Sequence, residues 1–309
     1  MVECIVAVAS PTMSRALVLG GGGPVGIGWE AGLLVGLTRN GVDVTAADRV
    51  VGTSAGSVVG FTLASGGDLT QARELVDRAN DGEPLSSGEA AQAAEDLQVL
   101  LATVADAAIH PEQADEIRAR LGNRALTTST VDEARWLATF AEFAGAEWPE
   151  GFACTAVDAA TGRFRVWEKD AGVDPQLAIA SSCAVPCLYP PVTIGGERWM
   201  DGGVRDMLNA DAAADADTVL VISCTVLEIP PGFELPGLDA MLGATQAQLD
   251  GLRDGGSKVE CVVPSAEMLE ISGWGMNLMD FTRTGDAYEA GLRQGAAEAA
   301  RLGSFWAPE

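Results

Sequence analysis

The sequence predicts an α/β domain, a parallel sheet with helices on its faces. Three observations lead there. Two short apolar runs, Arg15–Leu19 and Asp48–Val51, each end in a glycine turn and each precede a segment of helical spacing. Strand, glycine turn, helix, repeated in that order, is the pattern of a parallel sheet covered by helices. Hydrophobic residues make up 48% of the 309 residues, enough for a sizeable core.

Arg15–Leu19 is ended by four glycines and reads as a buried strand. Ile27–Leu37 has helical spacing and stops near Asn40–Gly41, a C-terminal signal. Asp48–Val51 is the second strand, Gly52–Ser57 a tight turn, and Val58–Ala64 the start of the next helix. Residues 68–148 change character. Four helical segments, 68–80, 90–108, 111–122 and 131–145, follow one another with no β-rich run between them, and they read as a helical insertion that packs beside the sheet or caps it. Strand signals return at Gly151–Val157, Arg163–Trp167, Thr218–Thr225 and Ser257–Val263, and Gly285–Leu302 is again helical. With no repeat and no low-complexity linker, the chain reads as one α/β domain over 15–303, with 68–148 inserted in it.

The formal net charge is −25, from 44 acidic and 19 basic residues, and the only lysines are Lys169 and Lys258. Such a surface repels nucleic acid, whose binding rests on Lys and Arg, and disfavours electrostatic docking on anionic bilayers. Contact with a lipid surface is expected to be transient at most. No apolar run approaches the roughly 18–20 residues of a membrane span. The N-terminus lacks a basic n-region and leads straight into the first strand, so secretion is not expected and a cytoplasmic location is. Met13 offers an alternative start, which would make residues 1–12 an upstream extension. Of the six cysteines, Cys154, Cys224 and Cys261 lie in apolar strand-like runs and read as small buried hydrophobes in a reducing compartment. One His and no clustered thiols make a zinc site unexpected.

Three constellations carry chemistry. Gly52-Thr53-Ser54-Ala55-Gly56 is a G-x-S-x-G between a strand and a helix. A serine on such a turn is pushed out of the sheet edge, the glycines permit the strained backbone, and the following helix aims its N–H groups at developing negative charge. Gly20–Gly26 follows a strand and opens a helix, and its bare backbone amides suit a concave anion site such as acyl transfer needs. The same stretch contains G-x-G-x-x-G, the dinucleotide fingerprint, but that reading needs an acid at the end of the second strand, whereas Asp43 and Asp48 precede it. The third is Asp201-Gly202-Gly203. A serine nucleophile needs a base. The sole histidine, His110, sits beside Pro111 among acids in the helical insertion and reads as an exposed residue at a helix start, so a carboxylate must serve. On its own the Asp-Gly-Gly run reads equally as a β-turn.

Taken together, these segments resemble the patatin-like phospholipase family: the loop at 20–26, the elbow at 52–57 and the run at 178–213, in that order over residues 15–213, with a weaker match at 273–295. The resemblance implies a three-layer α/β/α sandwich with a mostly parallel central sheet, and no metal or cofactor. It implies Ser54 as nucleophile and Asp201 as general base. The oxyanion hole falls on the amides of Gly22 and Gly23 with Gly21 beside them, while Gly52, Gly56, Gly202 and Gly203 support elbow and turn. Ser182–Pro186 and Pro190–Pro191 match a segment that shapes the loop before the Asp-Gly-Gly turn. One departure stands out: Val25 occupies a place where the family often has Arg or Lys, which weakens the case for phosphate recognition. Arg205 is the nearest basic residue to the turn in sequence, and reads equally as a solvated surface residue.

The expected function is that of a serine acyl hydrolase, a lipase or esterase with phospholipase A activity in range, acting through a Ser–Asp dyad and an acyl-enzyme on lipid or other acyl esters. The rivals are an acyltransferase with the same dyad and, from another class, a non-catalytic nucleotide- or lipid-binding module built on the glycine loop. Trp136, Phe140 and Phe143, with the runs at 273–276 and 276–281, offer either an apolar lid or acyl groove, or ordinary core packing.

Overall fold

The computed structural model describes residues 14–71, 76, 87–229 and 236–307. Among these, eight strands form one sheet: β1 (Arg15–Leu19), β2 (Arg49–Gly52), β3 (Phe152–Asp158), β4 (Phe164–Trp167), β5 (Val192–Ile194), β6 (Glu197–Asp201), β7 (Thr218–Ile222) and β8 (Lys258–Val262). Their order is β5-β6-β3-β2-β1-β7-β8, with β4 paired to β3 off this path. The pairs β3–β2, β2–β1, β1–β7 and β7–β8 are parallel, whereas β4, β5 and β6 pair antiparallel. All of β3 and β7 and four of the five residues of β1 are buried, as expected of strands covered on both faces.

The helices are α1 (Gly23–Arg39), α2 (Ala55–Ala64), α3 (Ser87–Ile109), α4 (Ala114–Ala125), α5 (Glu133–Ala138), α6 (Pro175–Ser182), α7 (Leu238–Asp254), α8 (Ala266–Ser272) and α9 (Thr284–Trp306). Alternate residues of a strand face opposite sides, and β1 shows the two cores this creates. Leu17 and Leu19 join α1, α2, α6 and α9 in one core. Ala16 and Val18 join Leu249 and Leu252 of α7 in the other. The fold is therefore the α/β/α sandwich expected, with a mixed, mostly parallel sheet. The described part of the insertion lays Leu121 and Ala125 of α4 on Val157, Ala159 and Met200, close to the end of β6.

The first and last helices meet backbone to backbone. A Cβ on Gly32 of α1 would collide with the Tyr288 carbonyl, and one on Gly291 of α9 would collide with the carbonyl of Trp29. Only glycine permits that approach. Arg15 Nη1 donates to the Trp306 carbonyl at 3.2 Å, and Trp306 Nε1 to the Asp43 carbonyl at 2.7 Å.

Three expectations need adjustment. Residues 131–145 are not one helix: α5 ends at Ala138, where the Thr139 hydroxyl bonds back to the Trp136 carbonyl, and Ala141–Phe143 forms a separate 3-10 turn. In 68–80 the segment begins as a 3-10 turn at Leu69–Gln71 and Val76 is helical, while residues 72–75 and 77–80 lie outside the described residues, as do residues 1–12. The β5–β6 hairpin was not foreseen, though Gly195–Gly196, with φ of 63° and 87°, is a strong two-residue turn signal.

Candidate active site

Parallel strands carry their C-terminal ends to one edge, and there β1 and β2 deliver their glycine turns. β1 runs into Gly20–Gly23 and α1, while β2 runs into Thr53, Ser54 and α2. The two turns are tied together: Thr53 N–H donates to the Leu19 carbonyl and Gly56 N–H to the Gly20 carbonyl, both at 3.0 Å. A Cβ on Gly56 would collide with the Leu19 carbonyl, and one on Gly52 with that of Gly56. The two elbow glycines are thus required by close packing.

Ser54 itself has φ 52° and ψ −117°, a backbone conformation that L-residues rarely adopt. What holds it is visible. Its N–H donates to Ser182 Oγ at 3.0 Å, and its carbonyl accepts from Ser57 Oγ at 2.6 Å and from the Cys183 thiol at 3.3 Å. The end of α6 therefore grips both sides of the elbow. Ser54 is buried but not sealed, with 8% of its surface exposed.

β3 brings Asp201 to the elbow. Gly52 lies opposite Cys154, and Asp201 opposite Ala156, two residues further along the same strand. The Asp201 carboxylate accepts the Gly203 N–H at 2.7 Å and lies within hydrogen-bonding reach of the Ser54 side chain. Burial raises its pKa to about 7 against the lowering effect of those two donors. Burial, with the Asp201 charge adding to it, also pushes the Cys183 thiol up, so it stays protonated. A Cβ on Gly202 would collide with Thr155 Oγ1, while Gly203 faces Asp201 and Met207.

The glycine loop differs residue by residue. Gly21 N–H is committed to the Met207 carbonyl at 2.7 Å. For Gly22 and Gly23 no acceptor is found among the described residues, and Gly23 takes a left-handed φ of 56° at the start of α1. Two amides thus remain at a helix N-terminus near Ser54, with Met207 and the Ser54 Cβ closest to Gly21.

Sequence reasoning missed the residues behind the site. Asn209 is fully buried in a left-handed conformation, and its Nδ2 donates to Thr53 Oγ1 at 3.1 Å, to the Gly202 carbonyl at 3.2 Å and to the Asp206 carbonyl at 2.7 Å. Thr53 and Thr155 share a hydrogen bond at 2.8 Å. This network joins the end of β2 and the middle of β3 to the Asp-Gly-Gly turn. An Asn six residues after two glycines, flanked by Leu208 and Ala210, was the only available signal. Beneath the loop, Glu30 of α1 is wholly buried. Its carboxyl oxygens make no well-aligned hydrogen bond among the described residues, and burial, outweighing the nearby Cys224 thiol and Gly20 amide, raises its pKa well above the ordinary value.

Other candidates lie elsewhere. His110 is exposed at the end of the insertion helix α3, between Asp106 and Glu112. Arg205 is bound to Asp211 at 2.5 Å and to Asn209 at 2.9 Å and stacks over Phe164, so it is a structural cation. Asp48 accepts the Arg15 N–H and Asp43 caps a 3-10 turn, both before β2. Trp136, Phe140 and Phe143 are core residues. Among the described residues no three His, Cys, Asp or Glu side chains are grouped to hold a metal ion, and no helix is long and apolar enough to cross a membrane.

An α/β/α sandwich with a strained serine and a buried carboxylate at the C-terminal edge of its sheet is an architecture suited to acyl transfer. The family model of patatin-like phospholipases matches residues 17–214, more than half of the chain, and the protein belongs to that family of lipid acyl hydrolases. Among solved structures it is similar to VipD from Legionella pneumophila, with a TM-score of 0.41 and 13% identity, over 94% of this chain and 68% of that one. No curated protein sequence matches it.

Proposed function

We propose that the protein hydrolyses acyl esters through a Ser54–Asp201 dyad. The observation that carries this reading is the placement of Ser54, on a strained elbow, beside a carboxyl whose pKa burial raises to about 7. A base of that pKa is matched to neutral pH, which removes the usual weakness of a carboxylate in this role.

In the first half-reaction, ionised Asp201 takes the Ser54 hydroxyl proton as Oγ bonds to the ester carbonyl carbon. The carbonyl oxygen becomes an oxyanion facing the Gly22 and Gly23 amides. Collapse breaks the ester C–O bond, and the leaving alkoxide takes the proton from Asp201. In the second, Asp201 takes a proton from water, the resulting hydroxide attacks the acyl-Ser54 carbonyl, and collapse returns the proton to Ser54 and frees the acid. The side chains of Met207 and Met279 lie against Gly21 and Gly23 and suit an apolar acyl chain.

The test is active-site labelling with a fluorophosphonate, with the modified residue mapped, beside hydrolysis of esters of graded chain length and of phospholipids. Label on Ser54 that disappears with Asp201→Asn, together with fatty-acid release, supports the reading. Absence of both label and hydrolysis in folded protein overturns it. Added alcohols reveal acyl transfer if acyl-alcohol products replace free acid.

A further inference from the structure

The turn between α8 and α9 presents an apolar pair to solvent. Of the seven tryptophans, six are buried. The seventh, Trp274, is 51% exposed, and its near neighbour Met276 is 61% exposed. This exposure is built in. Gly273, Trp274 and Gly275 have consecutive φ of 56°, 58° and 91°, and left-handed backbone at a bulky residue persists only where its surroundings over-determine it. Here they do: Trp274 N–H donates to the Leu269 carbonyl and Asn277 N–H to that of Ser272, both at 2.8 Å. The indole is thus held outward by a hydrogen-bonded loop.

The same turn reaches the site. Two residues after Met276, the Leu278 carbonyl accepts Val25 N–H at 3.2 Å. That carbonyl and Met279 Sδ stand 2.6 and 2.8 Å from where a Gly23 Cβ would lie. Through the Leu278 carbonyl and the Met279 side chain the turn that carries the exposed pair is therefore packed directly on the glycine loop. The electrostatic setting selects among surfaces. Across 266–286 the acids are Glu267, Glu270, Asp280 and Asp286, against one cation. That cation, Arg283, is bound to Asp280 at 2.8 Å and to the Ile271 carbonyl at 3.0 Å. With a net charge of −25, an anionic surface is repelled, while a zwitterionic one can still receive an indole, a side chain suited to the boundary between apolar and wet phases.

We propose that the Trp274–Met276 turn docks the protein on a zwitterionic lipid surface, setting the opening of the glycine loop against it. The consequence for turnover rests on the hydrolase reading, but docking itself needs no turnover.

The test uses the full chain with phosphatidylcholine vesicles, plain, with bromine-labelled acyl chains, or mixed with phosphatidylglycerol. Because Trp274 is the exposed tryptophan, acrylamide quenching and emission wavelength report on it. Expected are a blue shift with plain vesicles, quenching by brominated chains, and weaker binding as phosphatidylglycerol is added. Trp274→Ser/Met276→Ser is expected to lower vesicle partitioning at least ~10-fold, to keep its Tm, and to hydrolyse a soluble short-chain nitrophenyl ester at the unaltered rate. Unchanged emission and no brominated-lipid quenching in the unaltered protein overturn the proposal, as does full binding by the double variant or tighter binding to anionic vesicles. A dimer in sedimentation that shields Trp274 without lipid and dissociates in the double variant also overturns it, in favour of self-association. If the hydrolase reading fails instead, the nitrophenyl ester is untouched while the vesicle results stand.

Discussion

The hydroxyl of Ser182 accepts the backbone N–H of Ser54 at 3.0 Å, across 128 positions of sequence. It is the acceptor that fixes the amide of a residue held at φ 52°. Ser182→Ala leaves that buried donor unpaired, at ~1–3 kcal/mol. We expect Tm to fall by several degrees and kcat to fall ~10-fold or more as the elbow relaxes, with KM little changed. Thermal denaturation beside steady-state kinetics checks this, and a loss of Tm with full kcat would show that Ser182 serves stability alone.

Ser54 separates chemistry from strain. Ser54→Ala should be inactive with a near-normal Tm. Ser54→Gly should be equally inactive yet more stable than the Ala variant. It relieves ~1–3 kcal/mol of backbone strain while adding ~0.4–1 kcal/mol of unfolded-chain entropy, leaving a net gain of ~1 kcal/mol. Equal stabilities for the two variants would mean that the backbone geometry is relaxed in solution.

As the proposed base, Asp201 is expected to set the pH dependence. Burial holds its pKa at about 7, and the base form is the ionised one. Activity should therefore rise with pH through an acid limb centred near 7. Asp201→Asn should remove that limb and lower kcat at least ~10²-fold. His110→Ala, altering an exposed imidazole of the insertion, should leave both kcat and the limb in place. A profile that is flat from pH 5 to 8, or a normal Asp201→Asn enzyme, would exclude the dyad.

Glu30 makes a separate prediction about stability. Burial raises its folded pKa, so between the ordinary carboxylate range and that raised value the folded chain holds a proton that the unfolded chain has lost. Stability then falls as pH rises, by up to ~1.4 kcal/mol per pH unit. Glu30→Gln removes this dependence. The Tm difference between variant and unaltered protein should move in the variant's favour from pH 5 to pH 8. A difference constant across that range would show that Glu30 is ionised in the fold.

The sandwich was legible because its strands are short, apolar and bounded by glycines, and both glycine turns announced themselves by composition. Ser54 and Asp201 were legible as motifs, but not their proximity, which depends on β6 running antiparallel to β3. That hairpin was hidden because Glu197 and Arg198 break the apolar run before Trp199 and Met200. Asn209, Thr53 and Thr155 were not singled out as supports, and Ser182 was named only for the loop before the Asp-Gly-Gly turn, since a buried polar residue has no local pattern and its partners lie far away in sequence. The committed amide of Gly21 belongs to the same category: only its pairing with Met207 tells it apart from Gly22 and Gly23. Trp274, by contrast, was read as an apolar residue among others, and its exposure comes from backbone conformation alone.

The glycine contact between α1 and α9 also bears on how the chain is made. When the ribosome has released the segment through Asp201, both residues of the proposed dyad are outside, yet the helix that begins at Gly23 still lacks its partner, which starts at Thr284. Until that last helix emerges, a face of α1 carrying Gly28, Gly32 and Gly36 has nothing to lie against, and contacts of such long sequence separation form late. Nascent chains arrested before Thr284 should therefore be chaperone clients and sensitive to protease, and acyl-ester turnover should begin only after the helix through Trp306 has emerged.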